Sequence, residues 1–103
     1  MKLIDFHTHI YPDAIAKKAT ESIENFYSMR AENVGTADRL LEVSRENGII
    51  LSVVLPVAVK PSGAAHINDF AAEMQRTHKE FYCFGTVHAG MDNIEAETER
   101  LMN

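Results

Sequence analysis

The chain has 103 residues, which is enough for one domain, and its hydrophobic content of 46% excludes an intrinsically disordered polypeptide. Its net charge of -5 comes from mixed signs with no basic stripe, so nucleic acid is not an expected partner. Cys83 is the only cysteine, which excludes an internal disulfide and favours a reducing compartment. The longest apolar run, Ile49 to Val59, is too short to span a bilayer, and no signal peptide is visible. We therefore expect a soluble, cytoplasmic protein with no membrane partner.

The first apolar run, Leu3 to His9, ends on two histidines one residue apart. In a strand, alternate side chains share a face, so Asp5, His7 and His9 are expected on one side. The opposite face then carries Ile4, Phe6 and Thr8. Two imidazoles one pleat repeat apart can bind one metal ion, whereas a helix would separate them. Surface strands also carry such pairs without a metal, and the spacing alone leaves both interpretations open.

Two helices are predicted before the next strand. The first runs from Pro12 to Met29, because proline is well suited to a first helical turn and apolar residues then recur at helical spacing. The second follows Thr36, a favourable N-cap residue, and ends at Asn47 and Gly48. Glycine at that place can take the left-handed conformation that often follows a helix.

The remainder of the chain alternates strands and helices. Ile49 to Leu55 is apolar and β-branched, which predicts a strand covered on both faces. A third helix is predicted from Ala65 to His78, a third strand from Phe81 to Val87, and a last helix capped by Asp92, with Glu95 three residues later. This order predicts an α/β fold built from right-handed βαβ units around a parallel sheet.

The stretch Ile4 to Pro12 reads Ile-Asp-Phe-His-Thr-His-Ile-Tyr-Pro and resembles the opening of the amidohydrolase superfamily. The similarity is to the branch of amidohydrolase-related proteins and of the aminocarboxymuconate-semialdehyde and resorcylate decarboxylases. Leu40 to Pro56 and Asn68 to His88 are similar to the second and third units of that branch. The resemblance covers the whole chain, but only His-x-His is chemically specific.

The resemblance implies a TIM-type (β/α)8 barrel with its active site at the carboxyl ends of the strands. Such a barrel needs eight strands and about 250 residues. Residues 1–103 are therefore expected to be the first three βα units, an incomplete parallel sheet flanked by helices, in the N-terminal part of a longer domain.

The resemblance also implies a site. His7 and His9 would be first-strand ligands of a divalent metal, most often Zn²⁺, that activates water or orients a carboxylated small-molecule substrate. The other ligands and the catalytic acid or base come from later strands in the family, so no catalytic residue is assigned. Asp5 is expected either to orient a ligand or to satisfy backbone groups. His88, at the end of the third strand, is either a further ligand or substrate contact, or simply a polar residue at a strand end.

Other polar residues are expected to have structural roles. His66 and His78 are predicted to face solvent, and Cys83 to act as a small buried hydrophobe. Lys60 is either an exposed loop lysine or a guide for an anionic substrate. A solvated helix face is predicted for Glu95, Glu97 and Glu99.

Several functions are compatible with these patterns. The first is a metal-dependent hydrolase of the amidohydrolase type, and the second is a decarboxylase of the same family. The third is another His-x-His barrel, a histidinol-phosphatase-like phosphoesterase or a TatD-like nuclease. The phosphoesterase usually has Thr-Asp-His at the second strand, and it ranks lower because that strand here ends in Val54-Leu55-Pro56. The last is a non-catalytic fragment that forms homo-oligomers through its exposed sheet edges.

Overall fold

A computed structural model describes all residues from 1 to 103. The elements in chain order are β1 (Leu3–Thr8), α1 (Asp13–Tyr27), α2 (Ala37–Glu46), β2 (Ile49–Val54), α3 (Ala64–Thr77), β3 (Phe81–Cys83) and α4 (Ile94–Met102), with a 3-10 turn at Pro61–Gly63 before α3. The three strands form one parallel sheet in the order β1-β2-β3. The predicted α/β fold, with a three-stranded parallel sheet flanked by helices, is confirmed. None of the helices has both the length and the apolar character needed to cross a membrane.

The pairing of β1 with β2 places the carboxyl ends of these strands side by side. Leu3 pairs with Ile49 at one end and Thr8 with Val54 at the other, with irregular register in between. Beyond the strands, the Leu55 backbone N–H donates to the Thr8 carbonyl oxygen at 2.8 Å. The segments that follow β1 and β2 therefore start side by side at the same end of the sheet.

The core lies over the carboxyl half of β2. Ile10, Ala37, Leu41, Val54 and Phe81 are buried together, and partly buried side chains of α2, α3 and β3 pack against them. The expectation that β2 is covered on both faces along its length is wrong, because Ile50 is 51% exposed and only residues 52–54 are buried. The helices pack over the end of the strand that leads into the loops and leave its beginning open to solvent.

The two helices between β1 and β2 begin and end close to the predicted residues. α1 starts at Asp13 because the Pro12 carbonyl accepts hydrogen bonds from the N–H groups of Ile15 and Ala16. It ends two residues earlier than predicted, where Ser28 takes a left-handed conformation with φ of 51°. The predicted cap of α2 is confirmed, since the Thr36 hydroxyl accepts from the Arg39 N–H at 3.2 Å.

Gly48 makes the turn from α2 into β2. Its φ is 72°, and its carbonyl accepts a hydrogen bond from the Leu3 N–H at 3.0 Å. The left-handed conformation predicted from Asn47-Gly48 is confirmed. The same peptide also pins the start of β1, so the turn helps to align the two strands.

We predict that Gly48→Ala destabilises the protein by about 1–2 kcal/mol, because an L-residue is strained at positive φ. Gly63→Ala is the matched control, since Gly63 has φ of -93° and a Cβ there would meet only the Lys60 Cγ at 3.8 Å. Urea unfolding of both variants measures the difference. Equal stability of the two variants would contradict the assignment.

The third strand is shorter than predicted because its neighbour β2 ends at Val54, the partner of Cys83. The sheet pairing of β3 ends at Cys83, whereas the sequence predicts a strand to Val87. Farther along, the amide of Asn68, which is 3% exposed, accepts from the Thr86 N–H and donates to the Thr86 carbonyl oxygen, both at 2.8 Å. The Asn68 amide therefore satisfies both backbone groups of Thr86, as the backbone of a neighbouring strand would.

Glu97 is not part of a solvated helix face, and that prediction is wrong. It is 4% exposed, and its carboxylate accepts from the Asn68 amide at 2.8 Å and from the Arg100 guanidinium at 2.6 and 2.9 Å. The same guanidinium donates to Asp69 at 2.7 Å. Hydrogen bonds from Arg100 first, and from Asn68 second, hold the pKa of Glu97 below its ordinary value. This network fastens α4 to α3.

The start of α4 also differs from the prediction. The helix begins at Ile94, with Asn93 at the N-cap position, and no side chain caps it. Asp92 lies one residue too early and is exposed, so it is not the cap. The carbonyl of Asn93 accepts the first helical hydrogen bond from Glu97, the residue that the network with Asn68 holds in place.

We predict that Glu97→Gln lowers stability at neutral pH and weakens its dependence on acid. Because the folded pKa of Glu97 is depressed, its contribution is complete above the ordinary glutamate pKa and is lost as pH falls through the lowered value. Urea unfolding at several pH values between neutral and acidic measures this. Glu99→Gln, at an exposed position of the same helix, should leave the dependence of stability on pH unchanged. If Glu97→Gln also had the same pH dependence of stability as the wild type, the prediction would be contradicted.

Candidate functional site

His7 and His9 converge at the carboxyl end of β1. Their Nε2 atoms lie 3.1 Å apart, and the rings meet edge to face with centroids 4.9 Å apart. Two imidazole ligands of one tetrahedral zinc, each at about 2.0–2.1 Å, have their nitrogens about 3.3 Å apart. The two Nε2 atoms are thus close to the separation at which they could share a metal ion.

The backbone of β2 orients the ring of His9. The Nδ1 atom of His9 lies 2.7 Å from the Leu55 carbonyl oxygen, which can only accept a hydrogen bond, so Nδ1 carries the proton. In the neutral ring the lone pair is then on Nε2, which faces His7. Metal-binding histidines are commonly held in this way, with the second nitrogen donating to a carbonyl.

Asp5 stabilises the backbone rather than a histidine ring. One of its carboxylate oxygens accepts from the His7 backbone N–H at 3.1 Å. Of the two roles expected for Asp5, this contact corresponds to the second, the satisfaction of a backbone group. It also restrains the main chain at His7, which presents one of the two converging imidazoles.

His88 is engaged in a turn of its own. Its Nδ1 accepts from the Gly90 N–H at 3.0 Å, and its backbone N–H donates to the Met91 sulfur at 3.3 Å. No group of three or more His, Cys, Asp or Glu side chains in the chain is arranged to hold a metal. The structure therefore brings His7 and His9 together but does not add His88 or Asp5 to them as ligands.

A large cleft opens beside the two histidines. It has a volume of about 820 Å³, and His7 and His9 line it together with the apolar face of α1 and the segment that follows β2. Its aromatic and aliphatic lining includes Phe26, Tyr27 and Val59, and Lys60 is a charged residue in it. In the sequence, the helical spacing of apolar residues in α1 is the signal that indicates this face. A cleft of this size with few polar groups is typical of a small-molecule site.

Tyr11 also lines the cleft, although the sequence predicted no role for it. Its ring packs against Gly35, and its backbone N–H donates to the Gly35 carbonyl oxygen at 2.8 Å. Burial raises the pKa of Tyr11 above its ordinary value. Tyr11 therefore packs between the cleft and the segment before α2. Its hydroxyl is neutral at physiological pH.

The remaining histidines and the cysteine lie outside this site. His66 is exposed, as predicted, but His78 is half-buried and stacks on Phe81 with ring centroids 5.0 Å apart. The prediction that His78 faces solvent is wrong, because the end of α3 turns its ring onto the core. Burial raises the pKa of Cys83 to about 11, so its thiol stays protonated at neutral pH, in keeping with a packing role.

No protein-family model matches the chain, and no curated protein matches it either.

We predict opposite neutral tautomers for His9 and His88. The carbonyl of Leu55 requires a proton on Nδ1 of His9, whereas the Gly90 N–H requires a lone pair on Nδ1 of His88, which places that proton on Nε2. Long-range ¹H–¹⁵N correlation spectra of the metal-free protein at alkaline pH distinguish the two forms. The same tautomer for both rings would contradict the predicted orientation of His9.

Proposed function

We propose that the chain is part of a metal-dependent hydrolase of the amidohydrolase type, with His7 and His9 as ligands of a divalent metal, most often Zn²⁺. The observation that carries the proposal is the 3.1 Å approach of the two Nε2 atoms, with Nδ1 of His9 tied to the Leu55 carbonyl oxygen. In this proposal residues 1–103 are the first three βα units of a TIM-type barrel. The site then lies at the carboxyl ends of the strands, where catalytic residues of such barrels are found.

The two histidines fit a metal because their Nε2 atoms lie 3.1 Å apart, close to the separation of two ligand nitrogens on one zinc ion. A divalent metal held there would supply Lewis-acid chemistry, the activation of water and the polarisation of a carbonyl group, for cleavage of a C–N or C–O bond. The chain's own residues hold the ligands: Leu55 fixes the ring of His9, and Asp5 restrains the backbone at His7. The apolar cleft accommodates a small-molecule substrate next to them.

The proposal assigns no catalytic acid or base to this chain. A catalytic zinc normally has three protein ligands and an open position, and His7 and His9 are two. Further ligands and the proton-transferring group are proposed to come from residues that pack against the open edges of the sheet. A decarboxylase of the same family is the closest alternative reaction, and Lys60 in the cleft lining would suit its carboxylated substrate.

A non-catalytic role is the second candidate, and a separate observation favours it. Large apolar side chains are exposed at both edges of the sheet, including Phe6 on β1, which is 73% exposed, and Tyr82 on β3. Exposed apolar edge strands associate readily with other strands. In this alternative the chain forms homo-oligomers through those edges, and the two histidines are incidental.

We expect zinc to bind to the wild-type protein and to be lost from the His7→Ala, His9→Ala double variant. Loss of a partner that merely orients a ligand weakens metal binding by about 10- to 100-fold, so loss of both ligands should weaken it at least as much. Calorimetric titration and elemental analysis of protein without a histidine tag measure affinity and content.

The matched control removes two histidines elsewhere. The His66→Ala, His88→Ala double variant should keep wild-type zinc affinity, because His66 is exposed and the Nδ1 of His88 is occupied by its turn. Circular dichroism verifies that both variants fold. Equal zinc affinity in the two double variants would overturn the proposed function.

A further inference from the structure

The pair formed by His7 and His9 offers half of a closed zinc site. Four-coordinate tetrahedral binding is the usual arrangement of structural zinc, and the chain presents two converging nitrogens. No third side chain of the chain joins them in a metal-binding group. Because His7 is exposed and lies on an edge strand, its imidazole is accessible to a second molecule.

A two-fold axis through the metal would complete such a site with no new residue type. In a symmetric dimer each copy contributes the same surface, so two His-x-His pairs meet as four imidazoles. We propose that the isolated 103-residue chain forms a zinc-bridged dimer in which His7 and His9 of two copies bind one Zn²⁺. The proposal rests on the metal binding in the proposed function and names the partner at that site as a second copy of the chain.

Charge favours a cation at this contact. Each copy carries a net charge of -5, so two copies repel one another in the absence of a cation between them. Four neutral imidazoles leave the two positive charges of zinc uncompensated at the contact. Asp5 of each copy lies two residues from His7 and binds its N–H, so the pair of carboxylates supplies the two compensating negative charges.

Apolar surface beside the histidines favours the same contact. Phe26 is 80% exposed, and Tyr27 and Val59 are also exposed, although all three line the cleft that contains the histidines. A second copy placed on the histidines removes part of this surface from water. The bridged dimer has no open coordination position, so it is a closed resting form rather than the hydrolytic site.

The test is titration of the metal-free chain with Zn²⁺, followed by sedimentation velocity and, with Co²⁺ as a spectroscopic probe, by visible absorption. We expect a dimer that is complete at one metal per two chains, a tetrahedral Co²⁺ spectrum with the same end point, and return to monomer on adding EDTA. His7→Ala should abolish dimerisation, whereas the His66→Ala, His88→Ala variant should dimerise like the wild type.

A pair of phenylalanine variants tests the apolar contact independently of the ligands. Phe26→Ser, at the cleft, should raise the dissociation constant of the zinc dimer several-fold. Phe84→Ser should leave it unchanged, because Phe84 is also exposed, at 51%, but lies beyond β3 and outside the cleft. The reverse order of effects would overturn the proposed interface.

The other outcomes separate this inference from the proposed function. A monomer with one zinc per chain bound through His7 and His9 would overturn the dimer and leave the proposed function standing. A dimer that forms equally with zinc or EDTA would overturn the bridged form in favour of association through the sheet edges. Absence of zinc binding would overturn both proposals.

Discussion

The parallel pairing of β1 with β2 is the constraint on which the candidate site depends. At the carboxyl end of this pair, Leu55 donates its N–H to the Thr8 carbonyl oxygen and accepts the Nδ1 proton of His9. The Thr8 hydroxyl donates to the Val53 carbonyl oxygen at 2.8 Å, which fastens the same point from the other side. A shift of one residue in register would turn the histidine face toward the opposite side of the sheet. The orientation of His9 is therefore a property of two strands and not of the His-x-His motif alone.

Two different kinds of contact support the carboxyl ends of the strands. Apolar packing of α2 and α3 covers the carboxyl half of β2, while the polar network of Asn68, Glu97 and Arg100 fastens the chain after β3 and the last helix. Asn68 and Glu97 are the buried members of this network, and no buried side-chain nitrogen or oxygen lacks a partner. In a hydrolase built on a longer barrel, and also in a zinc-bridged dimer of this chain, the metal would bind at the carboxyl ends of these strands.

Local signals predicted those features that depend on neighbouring residues. Thr36 caps α2 and Gly48 turns left-handed because both effects act within four residues of the chain. Predictions failed where a distant residue intervenes. Glu97 was expected in solvent because its helix neighbours are acidic, but Arg100 and Asn68 bury it, and Asn68 lies 29 residues away. The third strand likewise ends early because its partner β2, distant in sequence, ends at Val54.

By itself, the sequence determined the order of strands and helices, the parallel sheet, and the presence of two histidines at the end of the first strand. It did so because hydrophobic periodicity and turn residues act over short distances along the chain. Only the tertiary structure decided that the two Nε2 atoms meet, that His88 stays apart, and that α1 forms one wall of a cleft. These outcomes depend on how side chains are oriented and how helices pack against the sheet. Contacts between residues distant in sequence set that orientation, and residue spacing alone does not specify it.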